Sequence, residues 1–279
     1  MSISATAEVS REVSPNDEMH VAGRENHYYQ AGRSALACIS CSLQAAQLPA
    51  GNVHRILDLP CGHGRVMRHL RAAFPEAEIT ACDLLRDGVE FCAATFGAIP
   101  VYSDENPDKI ALERNAFDLI WVGSLLTHLD SDRWTQFLEL FRRSLRPGGV
   151  LVFSAHGRQA YDLTKRGETP IQPYWRQTAT LYAYERKGFG YAPFPNSNSY
   201  GNSFASPAWV FKQIEKMSEM RMVHFSEAAW DSNQDVYACV RDPDWQVTHP
   251  PTPALTLIRQ TLRLKHRFRS LRAKILYQR

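Results

Sequence analysis

Between Val53 and Ala155, short apolar runs alternate with segments in which apolar residues recur every three or four positions. This alternation is typical of a parallel sheet with helices on both faces. A later pair of runs, Arg221–Phe225 and Asp235–Arg241, is predicted to add two strands joined by a turn. The sequence therefore predicts a doubly wound α/β fold. The first five predicted strands are Val53–Leu59, Glu78–Asp83, Ile99–Tyr102, Phe117–Gly123 and Val150–Phe153.

Composition narrows the class of protein. No stretch of this 279-residue chain reaches the ~18–20 consecutive apolar residues that cross a bilayer. The segment Met1–Glu25 is polar and has no apolar signal core, so we expect a flexible N-terminus and a cytoplasmic protein. The six cysteines are scattered, as expected for reduced thiols. Cys38 and Cys41 form a CxxC pair, but no second pair completes a zinc site, and we expect no metal.

The segment Ile56–Arg65 has the form of a strand followed by a tight turn that opens a helix. Gly62 and Gly64 allow the turn to approach a ligand closely, and the helix N-terminus offers free N–H groups. A dinucleotide site would have a third glycine where this sequence has Met67. An acid at the end of the strand, Asp58, suits a ligand that carries an amino group.

Acidic and polar residues also end the next two predicted strands. Asp83 follows Gly62 by 21 residues, where an acid can accept hydrogen bonds from the two hydroxyls of a ribose. Ser103 and Asp104 follow the third strand, where a carboxylate could accept the exocyclic amine of adenine. Since the carboxyl ends of parallel strands meet at one edge, these side chains are expected to face one crevice.

Together these segments resemble the class I, Rossmann-like methyltransferases that use S-adenosylmethionine. Residues 56–65 resemble the family's first motif, with Pro60 where its first glycine usually stands. Phe117–Ile120 with Leu125–Leu129 is similar to its fourth strand and following loop, and Leu145–Phe153 to its turn into strand five. The resemblance covers residues 53–155, and more weakly 221–241, and it implies a seven-stranded sheet with an antiparallel last strand.

The sequence pattern predicts a domain plan, and the resemblance implies a cofactor site. We expect a methyltransferase domain at 26–243 after a flexible 1–25, with an aromatic-rich cap inserted at about 157–205. A Pro-rich linker and a basic C-terminal helix would occupy 244–279. The expected cofactor is S-adenosyl-L-methionine, and its expected binding residues are Asp58, Cys61, Gly62, Gly64, Asp83, Leu84, Ser103, Asp104, Gly123 and Ser124.

Two histidines follow predicted strands near this crevice, and each is a candidate catalytic base. A base is needed when the acceptor is an alcohol, whose proton has a high pKa. His128 and His156 have imidazoles that titrate near neutrality. A histidine bonded to a backbone carbonyl for structural reasons is the alternative interpretation of either. The loop after strand four also lacks the Asn-Pro-Pro-Tyr type signature that the family uses on amino groups.

The basic charge is concentrated at the end of the chain. Residues 255–279 carry eight Lys or Arg and no acid, whereas the first 254 residues carry 24 basic and 29 acidic residues. This distribution does not favour nucleic-acid binding, which spreads basic residues over the folded body. An apolar stripe along the tail suits an interfacial helix on anionic lipid, but it could also dock on a partner or on its own domain.

The predicted function is transfer of a methyl group to a hydroxyl of a small metabolite or of a sugar-containing or lipid-linked molecule. The expected partners are a small-molecule or glycan substrate and, through 255–279, a membrane surface. Two alternatives remain open at this stage: a non-catalytic S-adenosylmethionine-binding regulatory module and a nicotinamide-dinucleotide oxidoreductase. The sequence does not indicate an oligomeric state.

Overall fold

The structure is a computed structural model that describes residues 7–168, 177–195, 197 and 200–245. The chain divides into two compact units, Met1–Trp245 and Gln246–Arg279. The second unit, with the expected basic C-terminal helix, lies outside the described residues. In the part that the structure describes, no helix is long and apolar enough to span a bilayer.

The described elements comprise seven α-helices and nine β-strands. The helices are α1 (Glu25–Ala45), α2 (Met67–Ala73), α3 (Arg86–Phe96), α4 (Ser131–Ser144), α5 (Arg158–Lys165), α6 (Gln177–Lys187) and α7 (Pro207–Ile214). The strands are β1 (Arg55–Asp58), β2 (Glu78–Asp83), β3 (Ile99–Tyr102), β4 (Phe117–Val122), β5 (Leu145–Ala155), β6 (Phe189–Pro193), β7 (Gly201–Ala205), β8 (Met220–Trp230) and β9 (Gln234–Arg241).

Seven of these strands form one twisted sheet in the order β3-β2-β1-β4-β5-β9-β8. Strands β1 to β5 run parallel, and β9 is antiparallel to both β5 and β8. The predicted doubly wound sheet with an antiparallel last strand is confirmed. Strand order reverses between β1 and β4, and in such sheets ligands bind in the crevice outside the carboxyl ends at this switch point.

The sheet is covered on both faces, as the continuously apolar β4 predicts. Leu119 and Trp121 pack towards α1, α2 and α3, whereas Ile120 and Val122 pack towards α4 and α7. All four side chains are buried. Because successive side chains of a strand point to opposite faces, this alternation fixes which polar residues at the strand ends share a face.

Several element boundaries differ from the sequence prediction. By sequence Ser131 can cap the helix that follows β4, but the N-cap of α4 is Asp130, whose Oδ1 accepts from the backbone N–H of Asp132 and of Arg133 at 2.9 Å. Strand β5 begins at Leu145, so Pro147–Gly149 lies within it rather than before it. The sequence pattern of Pro207–Met220 predicts a helix, and the observed helix α7 ends earlier, at Ile214.

The segment expected to be an aromatic-rich cap is more regular than its sequence indicates. It contains α5, α6 and a separate hairpin of β6 and β7, which pair only with each other. Tyr161, Tyr184 and Phe204 form a small core of their own with Ala160. These three aromatic residues thus pack within the cap, whereas Phe189 packs on Trp134 of α4 and Trp209 of α7.

The N-terminal segment lies across α2. Two carbonyl oxygens, of Ser10 and Glu12, accept from Arg68 Nη1 at 2.9 and 2.8 Å. The Tyr28 hydroxyl donates to Asp17 at 2.6 Å. These bonds place residues 10–17 beside the turn that follows β1.

Candidate active site

The turn after β1 is held against α3. Gly62 and Gly64 have φ of +49° and +81°, in the left-handed region that favours glycine. A Cβ on Gly64 would lie 2.3 Å from a ring carbon of Phe96, and a Cβ on Gly88 would lie 2.5 Å from the carbonyl oxygen of Gly62. The turn and the helix therefore fit only because these positions lack side chains.

Cys61 closes the inner side of this turn. Its Sγ lies 3.4 Å from the carbonyl oxygen of Gly62, and Sγ of Cys92 lies 3.6 Å from the same oxygen. A hydrogen bond with Cys92, and then burial, raises the pKa of the Cys61 thiol. Cys61 is therefore a neutral thiol that can contact a ligand but does not act as a nucleophile.

Asp83 ties the end of β2 to the turn. One carboxylate oxygen accepts from the backbone N–H of Gly62 at 2.7 Å, and the other accepts from that of Leu85 at 2.9 Å. Burial raises the pKa of Asp83, and these backbone hydrogen bonds oppose the rise. The expected ribose acid thus lies at the crevice, with lone pairs remaining beside those that hold the loop.

Asp58 is the most unusual acid in the site. Its side chain is 1% exposed, and neither carboxylate oxygen has a hydrogen-bond partner among the residues that the structure describes. Burial, and then the negative charge of Asp83, raises the pKa of Asp58 well above its usual value. A buried carboxylate without a partner is costly, so this position suits a ligand that brings a cation.

A cavity of about 780 Å³ opens at the ends of β2 and β3. Its lining consists of Leu84, of the loop residues Ser103, Asp104, Glu105, Asn106, Asp108 and Lys109, and of Asp130, Asp132, Arg133 and Gln136 at the start of α4. The backbone N–H of Ser103 donates to the carbonyl oxygen of Asp83 at 2.8 Å, so the two strand ends lie side by side. The volume is in the range of small-molecule sites.

The end of β4 forms another wall of the crevice. A Cβ on Gly123 would lie 2.8 Å from the Trp230 ring, so the strand end packs closely on that indole. Ser124 has φ of +64°, and its N–H donates to Ser154 Oγ at 2.9 Å. Gln234 joins both serines, accepting from Ser154 at 2.7 Å and donating to Ser124 at 3.1 Å. The sequence identified Ser124, but only contacts across β4, β5 and β9 reveal Ser154 and Gln234.

His128 lies in the turn after β4 with a defined tautomer. Its Nδ1 is 2.8 Å from the carbonyl oxygen of Gly201 in the cap. A carbonyl oxygen can only accept, so Nδ1 carries the proton and Nε2 keeps a lone pair. Burial lowers the pKa of His128, which keeps the ring neutral near pH 7. A neutral ring with a lone pair on Nε2 can accept a proton, as a general base must.

Tyr200 closes over this histidine from the cap. The two rings are stacked with centroids 4.6 Å apart, and Phe194 lies 5.9 Å from the His128 ring. Burial, and then the charge of Asp83, raises the pKa of Tyr200 to about 12. Tyr200 thus stacks on the histidine from the cap, while part of its side chain remains exposed.

His156 lies at the end of β5 beneath the cap hairpin. It is 5% exposed, and its Nδ1 is 3.0 Å from Asn202 Oδ1. Burial, and then the neighbouring His128 ring, lowers the pKa of His156 to about 4. The His156 side chain is thus buried, whereas the His128 side chain is partly exposed.

The described cysteines are all free thiols, including the Cys38 and Cys41 pair of α1. Among the described residues, no group of three or more His, Cys, Asp or Glu side chains is arranged to hold a metal ion.

Comparison with known proteins identifies the domain. The protein family described as a methyltransferase domain matches residues 57–151, which run from β1 into β5. Residues 57–151 therefore carry a methyltransferase domain. The predicted family is confirmed.

Curated relatives match part of this chain. A malonyl-[acyl-carrier protein] O-methyltransferase of Enterobacter lignolyticus is 34% identical over 143 residues, which are 50% of this chain and 55% of the relative. A fatty-acid O-methyltransferase of Mycolicibacterium smegmatis is 31% identical over 111 residues, 39% of each chain. The chain thus spans about half or less of the length of these relatives.

Solved structures share the methyltransferase fold at low identity. The PH0226 protein of Pyrococcus horikoshii has a TM-score of 0.52 at 14% identity, over 82% of this chain and 97% of its own. An S-adenosylmethionine-dependent methyltransferase of Clostridium acetobutylicum has a TM-score of 0.51 at 15% identity, over 77% and 92%. These similarities extend the shared fold beyond the matched 57–151.

Proposed function

We propose that this protein transfers a methyl group from S-adenosylmethionine to an oxygen of a small or lipid-linked acceptor. The observation that carries the proposal is the buried Asp58 carboxylate, which has no partner beside the glycine turn of a methyltransferase domain. S-adenosylmethionine supplies an ammonium group that would neutralise this carboxylate. The same crevice has polar groups at the ends of β2 and β3 for a nucleoside.

The donor-binding roles follow from the positions of the strand ends. Asp58 would hold the ammonium, while the backbone of Cys61, Gly62 and Gly64 would allow the amino-acid part to approach. Asp83 would accept hydrogen bonds from the ribose. The adenine would lie in the cavity lined by Leu84, Ser103 and Asp104, and Gly123 and Ser124 would line the methyl-bearing end.

His128 is proposed as the base for a hydroxyl acceptor. The donor supplies a methyl group already activated on a positively charged sulfur, so positioning and exclusion of water account for much of the rate. Nε2 of His128 can take the hydroxyl proton while the Gly201 carbonyl holds Nδ1–H in place. Tyr200 and Phe194 would shield this side of the crevice. His156 is the second candidate, and its burial makes direct contact with an acceptor less favourable.

A carboxylate acceptor is the second candidate function. Two of the relatives carry names that refer to malonyl and fatty-acid groups, which contain carboxyl oxygens. A carboxylate is already deprotonated at neutral pH and needs no base. In that case His128 would serve to position the acceptor.

The two acceptor classes are separated by a methyl-transfer assay with isotopically labelled S-adenosylmethionine. Hydroxylated and carboxylated small molecules, including sugar-containing and acyl-chain compounds, would be compared with wild type and His128→Gln. We expect labelled methyl ether from a hydroxylated acceptor, and its loss in His128→Gln. Methyl ester formation that is unchanged in His128→Gln would instead establish the carboxylate acceptor. No product from any class would contradict an enzymatic function.

We further propose that residues 255–279 hold the protein at an anionic membrane surface from the cytoplasm. The support is the excess of eight basic residues along an apolar stripe. The full chain should sediment with phosphatidylserine-containing vesicles and not with neutral ones, and 0.5 M salt should release it, because screening weakens such contacts. Equal binding to both vesicle types, or to neither, would contradict the proposal.

A further inference from the structure

Arg65 directly follows the glycine turn and forms no ion pair with an acid among the described residues. Its side chain is half-buried, and its guanidinium carbon lies 5.7 Å from the centre of the Trp230 ring. In the part of the chain that the structure describes, the guanidinium donates no hydrogen bond and forms no ion pair. Asp231, whose charge acts on Arg65, is paired with His27 at 3.0 Å.

The neighbouring arginine shows how a structural arginine is satisfied in this fold. Arg68 is 1% exposed and donates to the carbonyl oxygens of Ser10, Glu12 and Gly64 and to the Tyr28 hydroxyl. A buried guanidinium usually has such partners, because leaving its donors unpaired is costly. The difference between the two arginines indicates that Arg65 is arranged for an acceptor that the described part of the chain does not supply.

Arg65 and Asp58 lie on the same face of the sheet. Asp58 pairs in register with Trp121 across β1 and β4, so both side chains point to one face. The Trp121 ring meets the Trp230 ring edge-on, with centroids 5.3 Å apart, and Arg65 lies over Trp230. Thus two opposite charges without partners, a carboxylate and a guanidinium, flank the turn Cys61–Gly64.

We propose that Arg65 binds the α-carboxylate of the methyl donor, so that Asp58 and Arg65 together recognise the zwitterion of its amino-acid part. This inference rests on the proposed function and adds a determinant of donor specificity. A ligand with an ammonium but no carboxylate would leave Arg65 unpaired. A nucleoside without the amino-acid part would leave both groups unpaired. The guanidinium is suited to the role because its planar donors match a carboxylate in two parallel hydrogen bonds.

The test compares two ligands that differ in one group. S-adenosylhomocysteine carries both ammonium and carboxylate, whereas decarboxylated S-adenosylhomocysteine carries only the ammonium. Calorimetry with the full chain would give the affinity ratio of the two ligands for wild type, Arg65→Met and Arg65→Lys. Methionine keeps the apolar contact with Trp230, and lysine also keeps the charge. Arg114→Met is a matched control, because Arg114 is exposed before β4 and away from the carboxyl ends of the strands.

We expect wild type to prefer S-adenosylhomocysteine at least about tenfold, as for a charged hydrogen bond. Arg65→Met should bring the ratio close to one while leaving the affinity for the decarboxylated ligand unchanged. Arg65→Lys should keep part of the preference, and Arg114→Met all of it.

An equal loss of affinity for both ligands in Arg65→Met would overturn the inference and leave the methyltransferase proposal standing. An affinity ratio in Arg65→Met equal to that of wild type would also overturn the inference and leave the methyltransferase proposal standing. If Arg65→Met does not fold, a preference that Arg65→Lys keeps only in part would support the carboxylate contact, whereas a preference retained in full, or equal affinity of wild type for the two ligands, would overturn it. No binding of either ligand to wild type would overturn the proposed function and this inference together.

Discussion

The Nδ1 atom of His128 lies 2.8 Å from the carbonyl oxygen of Gly201, 73 residues further along the chain. This bond connects the loop after β4 with the first residue of β7, and it selects the tautomer whose Nε2 can accept a proton. The main sheet and the cap thus each contribute one side of the proposed acceptor site.

Replacement of His128 by glutamine is expected to remove the base and keep a side chain that can donate to Gly201. With a hydroxyl acceptor, kcat should fall by about 10²–10⁴-fold, the usual contribution of general base catalysis. The affinity for S-adenosylhomocysteine should stay within about twofold of wild type. Steady-state kinetics and calorimetry on the same preparation check both. A kcat close to that of wild type would exclude His128 as the base, and His156→Gln serves as the comparison.

The two histidines are also expected to make the protein less stable at acid pH. Burial lowers the pKa of His128 and brings that of His156 to about 4, below the unfolded value of about 6.5. A group with a lowered folded pKa contributes stability that is present above its unfolded pKa and is lost as pH falls through the folded pKa. The free energy of unfolding should therefore decrease between about pH 6.5 and pH 4, and His156→Gln should flatten this decrease in urea titrations. An identical slope in the variant would contradict the account.

Asp58→Asn should have opposite effects on stability and on binding. The raised folded pKa of Asp58 means that its stabilising contribution is present below the unfolded pKa of about 3.9 and is lost as pH rises. The variant should therefore be more stable than wild type at pH 8, by about 1 kcal/mol or more. At pH 4 this difference in the free energy of unfolding should be smaller, because Asp58 of the folded wild type is then protonated. Its affinity for S-adenosylhomocysteine should fall about 10–100-fold, because the ammonium loses its charged partner. Thermal unfolding and calorimetry check the two effects. A destabilised variant that binds normally would contradict both.

Gly64→Ala tests the contact between the turn and α3. The new Cβ would lie 2.3 Å from the Phe96 ring, and φ is +81°. Gly97→Ala is the matched control, since Gly97 has φ of +61° and open space around its Cβ position. The control should lose about 1–2 kcal/mol of stability from backbone strain alone. Gly64→Ala should lose clearly more, as overpacking adds about 1–3 kcal/mol, and cofactor binding should weaken with it. Equal losses in urea denaturation would show that the turn can move away from Phe96.

Asp83→Ala should weaken binding of S-adenosylhomocysteine by about 1–3 kcal/mol through loss of charged hydrogen bonds to the ribose. It should also lower stability, because the N–H groups of Gly62 and Leu85 lose their acceptor. Binding of 5′-methylthioadenosine, which keeps the ribose, should weaken by the same factor. Unchanged affinity for both ligands in a folded variant would place the ribose elsewhere.

The sheet could be predicted because its signals are local. Each strand from β1 to β5 is a short apolar run, and the glycine turn follows β1 directly. The cap could not be predicted as well, since β6 and β7 are paired with each other and their aromatic residues contact several elements. The N-cap residue of α4 was predicted one residue too late, because Asp130 and Ser131 are both favourable N-cap residues. Only the backbone conformation determines that Asp130 accepts the hydrogen bond of the first turn.

In the candidate site, the residues at strand ends could be predicted and their partners could not. Asp58 and Asp83 are recognisable from the ends of β1 and β2. That Asp58 has no partner, and that Arg65 lies over Trp230, depends on contacts between residues far apart in the sequence. The network of Ser124, Ser154 and Gln234 is of the same kind, as it forms only when β9 adds to β5.

The central claim is that the crevice at the ends of β1 and β2 binds S-adenosylmethionine. Isothermal calorimetry of the purified full chain with S-adenosylhomocysteine, with NAD as the control ligand, tests it most directly. We expect one site of micromolar affinity for S-adenosylhomocysteine and no heat of binding with NAD. Binding of NAD at comparable affinity, or no binding of S-adenosylhomocysteine, would contradict the claim.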